Sequence, residues 1–366
     1  MIKIGFLLGN FQTNGGIGRV TSILADELCK KDNMKVIAIS YFKTDAPVLY
    51  DVSEEVVQYS LFSSAVSMAK AILKYNAVKK LKEIIVKEDL DIIVGCGALY
   101  YPLVIMAAKG TKAKVLCWEH TDPASTSDYN FQGVARKLAV KKADGIVVLT
   151  KSAQKYYLET LKAKENKLYQ LYNPVAKDAA KSEKYNSSSK KIISVGRLTY
   201  QKNFSALIDV AMEVLPKYPD WTWDIFGEGE EREELTAKIE SKNLVGKVNL
   251  MGQVYDLYDR YGDYSFQVMT SRYEGFPMSL IEGAVNRLPL ISYDIATGPD
   301  EIIEDGVNGF LVEKENTDEM AEKICVLIEK ADLRETMSQK AYEMTNNFCI
   351  DNIIDGWCEL CKNMKN

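Results

Sequence analysis

The chain has a single histidine, seven cysteines and no apolar run long enough for a membrane-spanning helix. A bilayer span needs about 20 consecutive apolar residues, and the apolar segment Ile2–Leu8 is also too short for a signal peptide. The cysteines are odd in number and scattered, which is not the pattern of a secreted disulfide framework. We therefore expect a protein of the reducing cytoplasm, with Ile2–Leu8 as its first strand.

The same scarcity argues against a metal centre. His120 belongs to no histidine cluster, and the pair Cys358 and Cys361 has no second cysteine pair with which to form a four-ligand site. We expect these two cysteines to pack on a terminal helix, and we expect no metal and no cofactor. The Asp-x-Asp sequence at residues 89–91 imitates a metal-binding motif, but it precedes a predicted strand.

Length and charge predict two domains of different character. With 366 residues, 47% of them hydrophobic and 27% charged, the chain exceeds one ordinary domain. Residues 1–190 hold 28 Lys and Arg against 19 Asp and Glu, a net of +9, whereas the remainder holds 18 against 32, a net of −14. The first half is therefore expected to meet an anionic partner, for which nucleic acid, an anionic membrane face and a phosphorylated lipid are candidates.

Short β-branched segments alternate with helix-like segments along nearly the whole chain. This alternation predicts α/β structure with parallel sheets, and two series of strands predict two doubly wound domains facing each other across a cleft. The polar segment 177–190 separates the two series and is the predicted linker. The predicted strands are Ile2–Leu8, Val36–Ser40, Asp91–Gly95, Lys114–Cys117 and Gly145–Leu149 before it, and Ile192–Val195, Trp223–Phe226, Val248–Met251, Phe266–Met269, Pro289–Ser292 and Gly309–Val312 after it.

In doubly wound sheets, ligands bind beyond the carboxyl ends of the strands, so the loops there are the candidate site. Residues 14–19 follow the first strand and open a helix, where Gly15 and Gly16 would let an anionic group approach backbone N–H donors. A dinucleotide fingerprint would need glycine at Thr21 and an acid at Ser40, which weakens a dehydrogenase interpretation. A tight turn without a ligand is the alternative.

Charged and titratable side chains follow other predicted strands. A lone histidine is often an ordinary packed residue, but the place of His120 at a carboxyl end favours a functional role. In the second half, Arg197 and Lys202 could close on a diphosphate, the arginine as a fork and the lysine as a point charge. A solvated basic loop is the alternative. Gly227 and Gly229 precede an acid-rich helix start, so they predict a close approach of two backbones and not a phosphate site.

Residues 271–282 are the most specific stretch of the chain. Glu274 lies in a predicted loop, and Glu282 lies on the early turns of a helix whose first position suits Pro277. Each carboxylate could accept hydrogen bonds from two adjacent hydroxyls of a sugar or ribose. Downstream, another helix opens with N–H groups able to hold a phosphate or sugar oxygens, at Gly298, Pro299, Asp300 and Glu301.

In this order, the motifs resemble those of retaining family-4 glycosyltransferases, whose GT-B fold has two facing Rossmann-like domains with the active site in the cleft between them. The resemblance covers nearly the whole chain. It is carried by Gly15-Gly16, His120, Asn173-Pro174, Arg197 with Lys202, Glu274 with Glu282, Gly298-Pro299-x-Glu301-Ile302-Ile303 and Asp305-Gly306-x-Asn308-Gly309. The family's usual His-Asp pair is His120-Thr121 here, with Asp122 adjacent.

The resemblance implies a role for each part of the chain. Residues 1–176 would form an acceptor-side domain, residues 191–348 a nucleotide-sugar-binding domain, and residues 349–366 a helix that packs back toward the first domain. The roles implied for single residues are the ribose for Glu282, the diphosphate for Arg197 and Lys202, the donor sugar for Glu274 and the backbone after Gly298, and the neighbourhood of the anomeric carbon for His120.

The resemblance also implies a reaction. A hexose or N-acetylhexosamine would pass with retention, and without metal or protein nucleophile, from a nucleotide sugar to an acceptor; UDP is favoured over GDP and ADP. The acceptor would be a lipid-linked or polyprenyl-phosphate-linked glycan of a cell-surface polysaccharide or glycolipid, not a nucleic acid. A sugar-nucleotide epimerase or phosphorylase of the same fold, and a non-catalytic nucleotide-binding protein, are the alternatives.

Two basic segments of the first half suggest attachment to the inner face of the membrane. Residues 60–86 alternate apolar residues with lysines in an amphipathic pattern, and a second cluster comprises Arg136, Lys137, Lys141 and Lys142. Surface cations near anionic lipid each contribute about 1 kcal/mol. The alternative for residues 60–86 is a helix packed on the sheet with a solvated basic face.

Overall fold

The computed structural model describes residues 1–11, 15–43, 52–63, 75–127, 129–254 and 257–365. These residues divide into two compact units, one comprising residues 1–174 with 349–366 and the other residues 175–348. Within the described ranges, each unit is built on one parallel sheet whose strands alternate with helices.

The first unit contains a parallel sheet with the first strand of the chain near its middle. Its strands are β1 (Ile2–Leu8), β2 (Met34–Phe42), β3 (Val57–Phe62), β4 (Ile92–Cys96), β5 (Lys114–Trp118), β6 (Gly145–Val148) and β7 (Leu168–Gln170), in the spatial order β3-β2-β1-β4-β5-β6-β7. Its helices between strands are α1 (Gly16–Cys29), α2 (Tyr75–Lys87), α3 (Tyr101–Ala108), α4 (Phe131–Lys142) and α5 (Lys151–Glu159).

The second unit repeats this plan with a smaller sheet. Its strands are β8 (Lys191–Val195), β9 (Thr222–Phe226), β10 (Val248–Gly252), β11 (Phe266–Met269), β12 (Leu290–Asp294) and β13 (Gly309–Glu313), in the order β10-β9-β8-β11-β12-β13. Its helices are α6 (Phe204–Val214), α7 (Arg232–Ser241), α8 (Leu257–Arg260), α9 (Met278–Val285), α10 (Pro299–Ile302), α11 (Thr317–Glu329) and α12 (Ala331–Met344).

The last helix, α13 (Ile350–Lys365), belongs to the first unit. Its Trp357 packs edge-on against Trp118 of β5, with ring centroids 4.8 Å apart, and also contacts Phe6 of β1. Cys358 and Cys361 lie on this helix, as predicted, and Cys361 is fully buried. The helix is therefore held by apolar packing against the central strands of that sheet.

All eleven predicted strands are present, but β3 and β7 were missed. β3 is half polar and has a single buried position, and β7 has only three residues. Both lie at edges of the sheet, where a strand lacks the continuous apolar run of a central strand such as β2.

The position predicted for Pro277 also differs from the structure. Pro277 is the N-cap residue of α9 and does not occupy the first helical position.

The predicted amphipathic helix over residues 60–86 is partly wrong. Residues 60–62 belong to β3, and residues 64–74 lie outside the described residues. The remainder forms α2, which buries Ala77, Leu81, Ile84 and Ile85 against its own unit. Lys80 donates to the carbonyl of Leu61 at 2.8 Å, so at least one of its lysines is used within the fold.

The residues 89–91 lead into β4, as predicted, and their carboxylates form ion pairs. Asp89 pairs with Lys3 at 3.2 Å, and Asp91 pairs with Lys112 and Lys365, both at 3.1 Å. Because lysines neutralise both carboxylates, no metal ion is needed to account for their charge. Across the described part of the chain, no group of three or more His, Cys, Asp and Glu side chains is arranged to hold a metal ion.

Each sheet has one point where the order of strands reverses, between β1 and β4 in the first unit and between β8 and β11 in the second. At such a point, the helices that follow the two neighbouring strands pack on opposite faces of the sheet. This arrangement leaves a crevice beyond the carboxyl ends of those strands. Gly15 follows β1, Arg197 follows β8 and Glu274 follows β11, which are strands that border these points.

Candidate active site

A lysine and a glutamate meet at the point of reversal in the second sheet. Lys202, in the loop after β8, places its Nζ 2.6 Å from Oε1 of Glu274, in the loop after β11. Gln201 donates from Nε2 to the other carboxylate oxygen at 3.3 Å. Both charged side chains are nearly buried, at 15% and 8% exposed, so solvent screens their attraction little.

The loop after β8 is shaped so that Lys202 can reach this carboxylate. A Cβ atom at Gly196 would lie 2.9 Å from Cδ and Cε of Lys202, so the glycine leaves the space through which the lysine passes. Asn203 then turns the chain into α6 with φ of 54°, and the hydroxyl of Thr270 donates to the carbonyls of Lys202 and Asn203. The lysine is thus fixed by the end of β11 as well as by its own loop.

Arg197 lies in the same loop and is exposed. Among the residues that the structure describes, its side chain forms no hydrogen bond or ion pair, so its guanidinium is available to a ligand. The loop is supported from behind by the glycines after β9: a Cβ atom would lie 1.9 Å from the carbonyl oxygen of Gly196 at Gly227, and 2.2 Å from that of Leu198 at Gly229. The predicted close approach of two backbones is confirmed.

Glu282 is buried on α9, where the hydroxyl of Tyr261 lies 3.4 Å from its Oε2. The helix is tied to the segment that precedes β8 through Asn286. The Oδ1 of Asn286 accepts the N–H groups of Lys181 and Ser182, and its Nδ2 donates to the carbonyl of Glu282 at 2.8 Å. This fully bonded amide holds the helix that carries Glu282.

The turn at Gly298 adjoins the loop of Glu274. Gly298 has φ of 100°, and a Cβ atom would lie 2.5 Å from Cδ of Pro277, so both conformation and space require glycine. The hydroxyl of the preceding Thr297 donates to the carbonyl of Glu274. Pro299 is buried and Asp300 is exposed on the single turn of α10 that follows, and Glu301 is half-buried there.

Gly15 and Gly16 of the first unit open α1, directly after the point of reversal in that sheet. The backbone of Gly15 is extended, with φ of 166°, and a Cβ atom at either glycine would meet no heavy atom of the described residues within 4 Å. Unlike Gly298, these two glycines are not required by the packing of the described chain. Asn14, which begins the motif, lies outside the described residues.

His120 follows β5 and is half-buried, with its ring centroid 4.2 Å from that of Trp118. Its Nε2 atom is buried and has no hydrogen-bond partner among the described residues. Burial lowers the pKa of His120 to about 3, and the nearby Glu119 opposes this shift only in part. The imidazole is therefore neutral near pH 7 and presents an unused nitrogen.

The basic cluster predicted on α4 is wrong in one member. Arg136 is 1% exposed and pairs with Glu119 at 2.6 Å, so it is not a surface cation. Burial alone would raise the pKa of Glu119, but Arg136, Tyr157 and Thr121 together hold it below the ordinary value. Helical periodicity could not reveal this pair, because Glu119 lies outside α4 and precedes Arg136 by 17 residues. The adjacency of Glu119 to His120 was the one sequence signal.

Two family models together match most of the chain. Residues 14–178 match the model described as Glycosyltransferase Family 4, and residues 176–344 match the one described as Glycosyl transferases group 1. An uncharacterised glycosyltransferase of Methanocaldococcus jannaschii is 30% identical over 301 residues, covering 77% of this chain and 78% of that protein. The chain belongs to glycosyltransferase family 4.

Relatives of this family-4 glycosyltransferase include proteins of matching length. An uncharacterised glycosyltransferase of Haemophilus influenzae is 29% identical over 358 residues, covering 98% of this chain and 99% of the relative. The amylovoran biosynthesis glycosyltransferase AmsD of Erwinia amylovora is 27% identical over 367 residues, with the same coverage.

Two solved structures show that this family-4 glycosyltransferase has the GT-B fold. A mutant of S. aureus TarM in complex with fondaparinux, alpha-GlcNAc-glycerol and UDP has a TM-score of 0.84 and 17% identity, covering 100% of both chains. Anabaena HepE in complex with UDP and glucose has a TM-score of 0.82 and 18% identity, covering 99% of this chain and 100% of that one. The predicted fold class is confirmed.

Proposed function

We propose that the protein is a retaining, metal-independent glycosyltransferase that moves a hexose or N-acetylhexosamine from a UDP-sugar to a glycan acceptor. The observation that carries this proposal is the nearly buried pair of Lys202 and Glu274 at the point of reversal in the second sheet. A nucleotide sugar joins a dianionic diphosphate to a ring of hydroxyls. A cation and a carboxylate 2.6 Å apart can bind the diphosphate and the sugar hydroxyls, respectively, on the two sides of the bond that joins them.

The cations of this loop stabilise the leaving group. Lys202 and Arg197 bind the diphosphate, and their fixed charge takes the part that a divalent cation plays in other transferases. The backbone N–H groups after Gly298 hold hydroxyls of the donor sugar together with Glu274, and Pro299, Asp300 and Glu301 border that sugar.

The two glutamates bind hydroxyls. Glu274 already accepts from Lys202 and Gln201, which makes it a poor nucleophile but leaves lone pairs for adjacent hydroxyls of the sugar. Glu282 accepts from the ribose.

Transfer proceeds on one face of the sugar. The bond from the anomeric carbon to the diphosphate oxygen breaks as the acceptor oxygen approaches from the same side, and the departing phosphate takes the acceptor's proton. Neutral His120 acts near the anomeric carbon as a hydrogen-bonding group, because its unused Nε2 needs a partner. Gly15 and Gly16 leave open space for the acceptor or the departing phosphate.

The acceptor is a lipid-linked or polyprenyl-phosphate-linked glycan of a cell-surface polysaccharide. Two facts support the glycan part of this proposal: AmsD is named for amylovoran biosynthesis, and a TarM mutant was crystallised with alpha-GlcNAc-glycerol. No helix in the described ranges is both long and apolar enough to cross a membrane. Peripheral attachment to the cytoplasmic face would use the lysines at the exposed end of α4, Lys141 and Lys142.

The test is release of free nucleotide from a panel of UDP-, GDP- and ADP-sugars, with EDTA present and a membrane extract as the source of acceptor. Consumption of one UDP-sugar only when extract is added, with labelled sugar in the lipid fraction, is expected. Consumption of the donor without any acceptor would favour the alternative of an epimerase or phosphorylase. Loss of activity in EDTA, restored by a divalent cation, would contradict metal independence, and an inverted anomer in the product would contradict retention.

A further inference from the structure

A buried cluster of polar side chains lies directly behind His120 in the first unit. Glu119 and Arg136 are each 1% exposed, and Tyr157 is fully buried beside them. Burying two charges is costly, and replacing a buried ion pair by apolar side chains often leaves stability unchanged or improves it. Stability of the unit therefore does not explain why these charges are here.

The two oxygens of the Glu119 carboxylate accept different sets of hydrogen bonds. Oε1 accepts the backbone N–H groups of His120 and Thr121, both at 3.2 Å, and the hydroxyl of Thr121 at 2.9 Å. Oε2 accepts Nε of Arg136 at 2.6 Å and the hydroxyl of Tyr157 at 2.8 Å. Oε1 also accepts Nη2 of Arg136 at 3.3 Å. The carboxylate thus joins the loop after β5, through Oε1, to α4 and α5.

Arg136 also holds the loop after β5, through hydrogen bonds to two threonine hydroxyls. Its Nη2 donates to the hydroxyl of Thr121 at 2.8 Å, and its Nη1 donates to the hydroxyl of Thr126. The planar guanidinium therefore joins two points of the loop to the carboxylate that precedes His120, in a geometry that lysine could not reproduce.

We propose that Glu119, Arg136 and Tyr157 are positioning residues that hold the backbone of His120, and so aim its imidazole at the reacting sugar. The inference rests on the proposed function for the role of His120 in transfer, but the positioning itself is a property of the first unit alone. The Nε2 atom of the imidazole is available for this role, because it has no partner among the described residues. The ring is in tilted contact with Trp118, at 4.2 Å between centroids.

The test uses the fact that the chain has only one histidine. In protein labelled with ring-¹⁵N and ¹³C histidine and purified without a histidine tag, the imidazole signals belong to His120 without further assignment. The variants are Tyr157→Phe, which removes one donor to Oε2, and Glu119→Gln, which keeps an acceptor for the loop but loses the charge facing Arg136. The matched control is Leu81→Ala, which empties a fully buried site on α2 of the same unit.

Both cluster variants are expected to shift the imidazole signals and to lower kcat for transfer by about tenfold or more, since small misplacements of a reacting group are costly. The KM for the donor and the affinity for UDP should change by less than about twofold, because uniform binding is untouched. Leu81→Ala should lower the midpoint of thermal unfolding at least as much, with unchanged imidazole signals and kcat.

Unmoved imidazole signals in both folded cluster variants would overturn the proposal. So would a loss of kcat that Leu81→Ala reproduces, because the effect would then follow general loss of stability. If no donor is turned over by the unsubstituted protein, the proposed function fails, whereas the imidazole signals still decide whether the cluster positions His120. Should Glu119→Gln not fold, Tyr157→Phe decides alone.

Discussion

Nζ of Lys202 lies 2.6 Å from Oε1 of Glu274, although 72 residues separate the two in the chain. Pairing of β8 with β11 brings their loops together, and the loops then bond to each other: the N–H of Arg272 donates to the carbonyl of Gln201 at 2.8 Å. A ligand that binds the ammonium group of Lys202 therefore also lies next to the carboxylate of Glu274, and the reverse holds. This coupling is the basis of the donor site that we propose.

Glu282→Gln is expected to weaken UDP binding with the fold kept. A hydrogen bond to a charged group contributes about 1.5–3 kcal/mol, so the loss should be about tenfold to a hundredfold. The measurement is calorimetric titration with UDP, checked by circular dichroism. Asp209→Asn, which removes a more exposed carboxylate of the same unit, is the control and should bind normally. Unchanged affinity in Glu282→Gln would refute its contact with the ribose.

Gly16→Ala should separate stability from activity. The added methyl group meets no described atom within 4 Å, and alanine favours a helix, so the free energy of unfolding should rise by up to about 1 kcal/mol. Transfer should fall, because the methyl group occupies space that we assign to a substrate. Urea unfolding and donor turnover are the two measurements.

Gly227→Ala is the contrast to Gly16→Ala. Its Cβ would lie 1.9 Å from the carbonyl oxygen of Gly196, at φ of 144°, so it should lower the free energy of unfolding. Full transfer activity in Gly16→Ala would contradict the ligand role of that glycine.

His120 should make the protein less stable in acid. Its folded pKa of about 3 lies below the ordinary 6.5, so the unfolded chain binds a proton that the folded chain does not. The free energy of unfolding is therefore lost as pH falls from 6.5 toward 3. Urea unfolding between about pH 7.5 and 4.5 should show a smaller loss in His120→Asn than in the unsubstituted chain. Parallel losses would mean that the imidazole is not buried as described.

Membrane attachment is tested by flotation with vesicles that do or do not contain anionic lipid. At about 1 kcal/mol for each surface cation, replacing Lys141 and Lys142 by serine should weaken binding to anionic vesicles about thirtyfold. Replacing Lys217 and Lys314, which are exposed in the second unit, removes the same charge and should have no effect. Equal flotation with and without anionic lipid would refute the attachment.

The sequence predicts the fold well and the contacts within the site poorly. The central strands of the first sheet, such as β2 and β4, have apolar runs that identify them as strands from the sequence alone. The edge strand β3 has no such run. The sequence indicates Lys202 and Glu274 as candidates because each follows a strand, but their contact with each other depends on the strand order. The surface position predicted for Arg136 is wrong. Periodicity shows that a residue lies on a helix, but it does not show that a carboxylate from another element faces that residue.

Titration of the protein with UDP, with and without the change Lys202→Met, tests the central claim most directly. The unsubstituted protein should bind UDP in EDTA, and Lys202→Met should weaken that binding by about tenfold to a hundredfold, since one charge-assisted contact to the diphosphate is lost. Leu81→Ala, in the other unit, should bind as the unsubstituted protein does. No binding of UDP, or equal binding by Lys202→Met, would contradict the account.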